Sequence, residues 1–273
     1  MASGLEALPK GYELPSTAIE LSEAWVRDYV AAVEDTAIAD VGPYVPPMAL
    51  GVLALRDMLS NVSLPSGAIH AGQELSFRRT IRTGEKLAAS AGRVSRGERQ
   101  GWALMIVEMR LLDGKGLEVM EGRSTVTFPV SATSNSLEGA AAVLAPNDEA
   151  GARPLTSRVR EVTQAKIDRY AQVSGDHNPL HIDPEFALRT QFGGPIAHGM
   201  LILAYLSEVL TAEFGLDWLS SGHLKARFRA PTRPSDMVTT GGSFRRSDGV
   251  ASGKAWCANQ RNELLVSSII RVG

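Results

Sequence analysis

The sequence predicts an α+β protein made of two copies of one unit, each a curved antiparallel sheet wrapped around a buried helix. Three observations predict it. The segment Gly199–Phe214 (GMLILAYLSEVLTAEF) is apolar on nearly all sides and is followed by four β-like runs; a stretch poor in large apolar residues, Pro129–Ser157, divides the 273-residue chain roughly in half; and the two halves carry matching residues at one fixed interval.

A surface helix shows one apolar stripe and one polar face, so a helix apolar all round must be enclosed by other structure. The runs after it are His223–Ala230, Met237–Arg245, Gly249–Ala258 and Glu263–Val272, separated by Pro, Gly, Asp and Asn turn signals. The first half repeats the order, with a helix over Met48–Leu59 and strands over Trp102–Leu112 and Leu117–Phe128. Phe77-Arg78 matches Phe228-Arg229, Arg82 matches Arg233 and Glu85 matches Asp236, all 151 positions apart; Val45-Pro46 keeps that interval to Ile196-Ala197. A shared register in scattered matches is the mark of duplication. A helix followed by consecutive antiparallel strands gives the hot-dog arrangement, and two units in one chain give a double hot-dog, pairing their sheets as two subunits of a dimer would. The expected organisation is a degenerate hot-dog domain over 1–130, a linker over 131–157 and a catalytic hot-dog domain over 158–273.

Composition narrows the function. A chain with 28 Lys and Arg against 30 Asp and Glu has no global basic field, which excludes nucleic acid and an anionic membrane as partners. The single Cys257 excludes an intrachain disulfide and a multi-cysteine zinc site, and with the absence of any signal-like or membrane-length apolar run in the sequence points to a soluble, unprocessed, cytoplasmic protein.

The most informative stretch is Tyr170–Met200, YAQVSGDHNPLHIDPEFALRTQFGGPIAHGM. Ser174-Gly175-Asp176 ends a helical run and Asn178-Pro179 forces a turn, so Asp176 and His181 are expected on an irregular segment that aims both at one point. A carboxylate and an imidazole can move protons near neutral pH. An isolated Asp after Ser-Gly is more often a turn residue, and the spacing to His181 reverses that. His177 is read as an exposed turn residue, and His70 and His223 as structural residues in strands. His177 and His181 are four apart, a zinc spacing on a helix, but Pro179 between them argues against that helix, so no metal and no cofactor are expected.

The stretch resembles the MaoC-like family of (R)-specific enoyl-CoA hydratases and 3-hydroxyacyl dehydratases, through Tyr-Ala-x-x-Ser-Gly-Asp-x-Asn-Pro-Leu-His, Asp-Pro-x-x-Ala and Pro-Ile-x-His-Gly-Met. The first half is similar, more loosely, to the degenerate partner domain of two-domain members. The resemblance implies addition of water to a trans-2-enoyl thioester, carried by CoA or acyl carrier protein, with Asp176 and His181 holding the water. It makes the Gly199 amide, at a helix N-terminus, the donor to the thioester oxygen, and places Ser207 as a supporting residue on the same helix. Asn178, His198, Arg229 and Arg233 complete the expected substrate-binding set, with Arg227, Arg78, Arg79 and Arg82 as further candidates for the phosphates. A homodimer is left open. A hot-dog thioesterase, which would release thiol, and a non-catalytic acyl-CoA-binding subunit are the competing functions.

In the first half, Tyr29–Asp35 (YVAAVED) matches Tyr170–Asp176, which puts Asp35 where Asp176 stands and Asp40 where His181 stands. That half has lost the imidazole and, between Asp35 and Val45, ten residues. It is read as a shelter for the acyl group, with Ala54 on its helix as the position to probe, against the plainer reading of a sheet partner alone.

Overall fold

The repeat shows first in a turn built twice. The Arg82 amide donates to Glu85 Oε1 at 2.7 Å, and 151 positions later the Arg233 amide donates to Asp236 Oδ2 at 2.8 Å. The computed structural model describes residues 3–4, 8–9, 11–13, 15, 17–64, 68–90, 94–99, 101–129 and 151–273. The linker expected over 131–157 thus lies mostly outside the described residues.

In the first half the elements are β1 (Ser3–Gly4), β2 (Thr17–Glu20), α1 (Glu23–Val33), α2 (Ile38–Val41), α3 (Pro47–Asn61), β3 (Val62–Ser63), β4 (Ile69–Phe77), β5 (Lys86–Ser90), β6 (Val94–Arg99), β7 (Trp102–Asp113) and β8 (Glu118–Pro129). The second half has β9 (Arg153–Pro154), β10 (Arg158–Glu161), α4 (Gln164–Ser174), α5 (Pro179–Ile182), α6 (Pro184–Leu188), α7 (Gly199–Phe214), α8 (Leu216–Ser221), β11 (His223–Phe228), β12 (Met237–Ser247), β13 (Val250–Ala258) and β14 (Leu264–Val272).

Helices α1 and α4 are built by the same local chemistry. Ser22 caps one by accepting from the Trp25 amide, Thr163 caps the other by accepting from the Lys166 amide, and both end on a left-handed residue, Glu34 and Gly175. These counterparts lie 141 positions apart, as do α2 and α5. The ten extra residues of the second half therefore fall between α5 and Ile196, where α6 and the turn after it form. Leu180, Ala187 and Ile196, with Phe186 and Phe192, make a small apolar cluster under this segment.

One sheet runs through the molecule in the order β10-β12-β13-β14-β11-β4-β8-β7-β5-β2, with β6 and β9 paired at its margins. The halves join at β11 and β4, which pair antiparallel with Lys225 opposite Glu74. Those two residues are themselves 151 apart, so the local two-fold relating the halves passes through this pair. The sheet curls around α3 and α7, and α7 is buried continuously from Met200 to Thr211. This is the double hot-dog arrangement.

Full enclosure of α7 buries an acid. Glu208 is 1% exposed and is held by Arg158 and Arg160 of β10, while the Thr36 amide and hydroxyl donate to its Oε1 at 3.0 and 2.8 Å. These donors hold its carboxyl below the usual range against the burial that would raise it. Removing one member of a buried ion cluster leaves the others uncompensated. Glu208→Gln is expected to lower stability by about 3 kcal/mol, read by chemical denaturation at pH 7; a loss under about 0.5 kcal/mol, the range of an ordinary surface change, would show that the cluster does not hold α7 in place.

Candidate active site

The capping chemistry that ends α4 delivers Asp176. Gly175 adopts φ +74°, a conformation costly to a side chain, and its amide closes the helix on the Ala171 carbonyl at 2.9 Å. Asp176 follows, its carboxylate accepting from the Asn178 amide at 3.2 Å, and the Asn178 side chain accepts from the Leu180 amide at 3.0 Å. The chain here is more ordered than the expected irregular segment. Asn178 caps α5 and Pro179 occupies its first turn, so His181 sits on a short helix. Proline at a first helical position loses no hydrogen bond and starts the turn rather than breaking it.

His181 is 8% exposed and its Nδ1 meets the Ile196 carbonyl oxygen at 2.8 Å. A carbonyl only accepts, so Nδ1 carries the proton and Nε2 keeps its lone pair. Burial lowers the His181 pKa, and the Asp176 carboxylate opposes that only partly. The ring stacks on His198 with centroids 3.8 Å apart. His198 in turn donates through Nε2 to the Asp176 carbonyl at 2.9 Å, lies 5.0 Å from the Tyr170 ring, and is held near a pKa of about 3 by burial and by its histidine neighbour. Two neutral stacked imidazoles thus flank the Asp176 backbone. His198 Nδ1 and the Tyr170 hydroxyl are buried with no hydrogen-bond partner.

Asp176, His181 and His198 each bring one donor atom within 4.8 Å of the others, and among the described residues this is the group able to take a cation. It differs from the His177 and His181 pair weighed from sequence; His177 is exposed on the loop ahead of α5.

Gly199 is the first residue of α7, where amides have no partner within the helix. A Cβ added to it would stand 2.6 Å from the Phe228 ring, so only glycine lets this strand side chain approach the helix end so closely. Phe228 packs in turn against His70, 4.9 Å between centroids.

These residues line a cavity of about 590 Å3, the size of a small-molecule site. Its wall includes Asp176, Asn178, His181, His198 and Gly199, and Arg229 and Arg233 stand on the β14 side. The structure redistributes the other expected roles. Arg233 spends one nitrogen on the Phe192 carbonyl at 2.7 Å, bracing the segment after α6, and Arg229 donates to Ser267 at 2.8 Å. Ser207 lies off the cavity and accepts from Trp218 Nε1 at 2.9 Å. Arg78 and Arg79 are paired with Glu118, Glu121, Glu85 and Asp113, and neither they nor Arg82 nor Arg227 reaches the cavity. Ala54 is buried in the core, and Val52, Leu55, Arg56, Met58 and Leu59 are the α3 residues that line the cavity.

His70 is a cavity residue that sequence reasoning did not single out. It lies in β4 as expected, but it lines the cavity, with Nε2 3.2 Å from Gln73 Oε1 and burial holding its pKa at about 4. Its placement follows from the β4–β11 pairing, for which the local sequence carries no signal. In the first half, Asp35 is 6% exposed and caps α2 by accepting from the Ile38 amide at 3.1 Å, while Asp40 faces solvent. Neither lines the cavity.

Residues 146–255 match the family model of the MaoC like domain. The chain is 28% identical over 222 residues to 3-hydroxyacyl-thioester dehydratase X of Mycobacterium tuberculosis, covering 78% of this chain and 76% of that relative. It is 48% identical over 76 residues to the (R)-specific enoyl-CoA hydratase of Aeromonas caviae, a match spanning 28% of this chain and 56% of that one. A solved MaoC-like dehydratase aligns over 98% of this chain and 99% of its own with a TM-score of 0.78 at 19% identity, and a Mycobacterium tuberculosis protein described as having a double hotdog fold aligns over 99% and 98% with a TM-score of 0.71 at 14% identity. The second half of the chain thus carries a match to the MaoC like domain, and over most of its length the chain is similar to a 3-hydroxyacyl-thioester dehydratase.

Proposed function

We propose that the protein interconverts a trans-2-enoyl thioester and its 3-hydroxyacyl thioester, with Asp176 and His181 as the proton-handling pair and the Gly199 amide as the donor to the thioester oxygen. The observation that carries this is the spacing of the Asp176 carboxylate and the His181 imidazole, within 4.8 Å at the wall of a cavity that Gly199, the first residue of α7, also lines. One water making two hydrogen bonds of about 2.8 Å spans such a gap. Held by two acceptors, that water presents its oxygen to the β-carbon. The new C–O bond forms as an O–H bond breaks toward the pair, the π electrons pass to the thioester as an enolate, and the pair returns a proton to the α-carbon on the same face. The Gly199 amide meets the charge that develops on oxygen.

A thioesterase would share fold and substrate, and the two readings part in one assay. Enoyl-CoA esters should lose their conjugated absorbance with no thiol released; thiol release at the same rate would establish hydrolysis instead. Exhaustive chelation should leave the rate unchanged.

Asp176→Asn and His181→Gln should each fold and lose roughly a hundredfold to ten-thousandfold in kcat, the usual worth of a general acid or base. Near-wild-type turnover in either, at saturating substrate, would remove the pair from the mechanism. Asp35→Asn should keep near-wild-type turnover, because its carboxylate caps α2 and Asp40 supplies no imidazole; an Asp35 variant as inactive as the Asp176 variant would overturn the single-site reading.

The pH profile has a defined sign. Burial lowers the His181 pKa, so the neutral ring that holds the water persists below the ordinary histidine range. The acidic limb of kcat/KM should fall below pH ~6.5; a limb centred above that value would mean that another group limits the rate.

A further inference from the structure

Beyond the hydration chemistry, one cation in the cavity has no assigned use. Arg56, in the last turns of α3, lines the cavity and is half-buried. Its stem lies against the end of α4, where a Cβ added to Gly175 would stand 3.0 Å from Arg56 Cδ. The guanidinium sits over the Trp25 ring, 5.4 Å from its centroid. Among the described residues it has no carboxylate within ion-pair distance, while the neighbouring arginines Arg78, Arg79, Arg158 and Arg160 are all paired. Burial lowers its pKa, and the neighbouring Asp57 carboxylate opposes that.

A second polar group opens on the same side. Thr127, near the end of β8, is 7% exposed, lines the cavity, and its hydroxyl has no hydrogen-bond partner. Buried hydroxyls without partners are uncommon and costly. In the sheet, β8 and β14 flank the β4–β11 seam on opposite sides, and Thr127 of β8 and Leu265 and Val266 of β14 all line the cavity. The first-half wall also holds the apolar Val52, Leu55, Met58, Leu59 and Leu64. The fold itself does not demand an arginine here, because the residue 151 positions on is Ser207.

We propose that the acyl group of the substrate ends in a carboxylate, which pairs with Arg56 and accepts from Thr127 while its methylene stem lies along the apolar wall. The substrates are then thioesters of enedioic or hydroxydioic acids. This rests on the hydratase reading for the reaction but not for the binding.

The test separates the two. Saturated thioesters bind without reacting, so adipyl-CoA and hexanoyl-CoA, which differ only at the far end, are compared by titration calorimetry along with their four- and eight-carbon homologues. A charge-assisted pair should favour the dicarboxylic thioester about tenfold to a hundredfold at the length that reaches Arg56. Arg56→Met, which keeps the volume, should abolish that preference and leave hexanoyl-CoA affinity unchanged; Thr127→Val should weaken adipyl-CoA severalfold and carries the test alone if Arg56→Met does not fold. No preference in the wild-type protein at any length, or a preference that survives Arg56→Met, overturns the proposal. If 2-hexenoyl-CoA and 2-hexenedioyl-CoA are both hydrated with equal kcat/KM, the hydratase reading stands and this one falls. If neither is hydrated but the binding preference holds, the reverse is true.

Discussion

The site depends on the antiparallel pairing of β4 with β11. Five backbone partners, from Ser76 opposite His223 to Gly72 opposite Arg227, place strands from distant parts of the chain side by side. Just past this register Phe228 packs against the His70 ring and against the N-terminus of α7 at Gly199. It also sets α3 across from Asp176 and His181. Without this seam each half would keep its own sheet and helix, but the cavity would lack a wall.

Within that enclosure, burial does most of the electrostatic work. His181, His198 and His70 all have depressed basicity, and desolvation is the largest cause for each. Three imidazoles around one cavity would repel as cations, and as neutral rings they stack and donate to carbonyls. Each ring that hydrogen-bonds a carbonyl is thereby fixed in its tautomer, which decides the nitrogen that faces the cavity. The backbone of α4, α5 and the segment before α7 thus sets the chemistry of the side chains as much as their positions.

The parts of the site that were legible in the sequence are those made by neighbouring residues. Asp176, Asn178 and His181 are placed by caps and turns within a few positions, and the enclosed α7 announces itself by having no polar face. The duplication was legible because a fixed register survives divergence, as Arg82 with Glu85 and Arg233 with Asp236 show. What could not be read depends on contacts between distant segments. His70 is an ordinary strand residue until β4 meets β11. Ala54 and Leu55 cannot be told apart by pattern, because a helix apolar all round carries no phase to say which side faces a cavity. Arg233 and Arg229 were found as charges, but a string of residues does not say that Arg233 is occupied by the Phe192 carbonyl. Pro179 bars a helix through both His177 and His181, as expected, and at the first position of α5 it also starts the short helix that carries His181.

Arg56 and Ser207 occupy equivalent places in the repeat, yet one faces the cavity as a charge and the other is tied to Trp218 in the core. In an assembly of two identical chains every substitution appears twice, once on each side of the two-fold. An arginine that suited one wall would then be forced into the packed counterpart as well. Covalent fusion lifts that requirement. The halves of this chain can diverge independently across their own interface, so a cavity that symmetry would keep identical on both sides becomes free to distinguish one end of its ligand from the other.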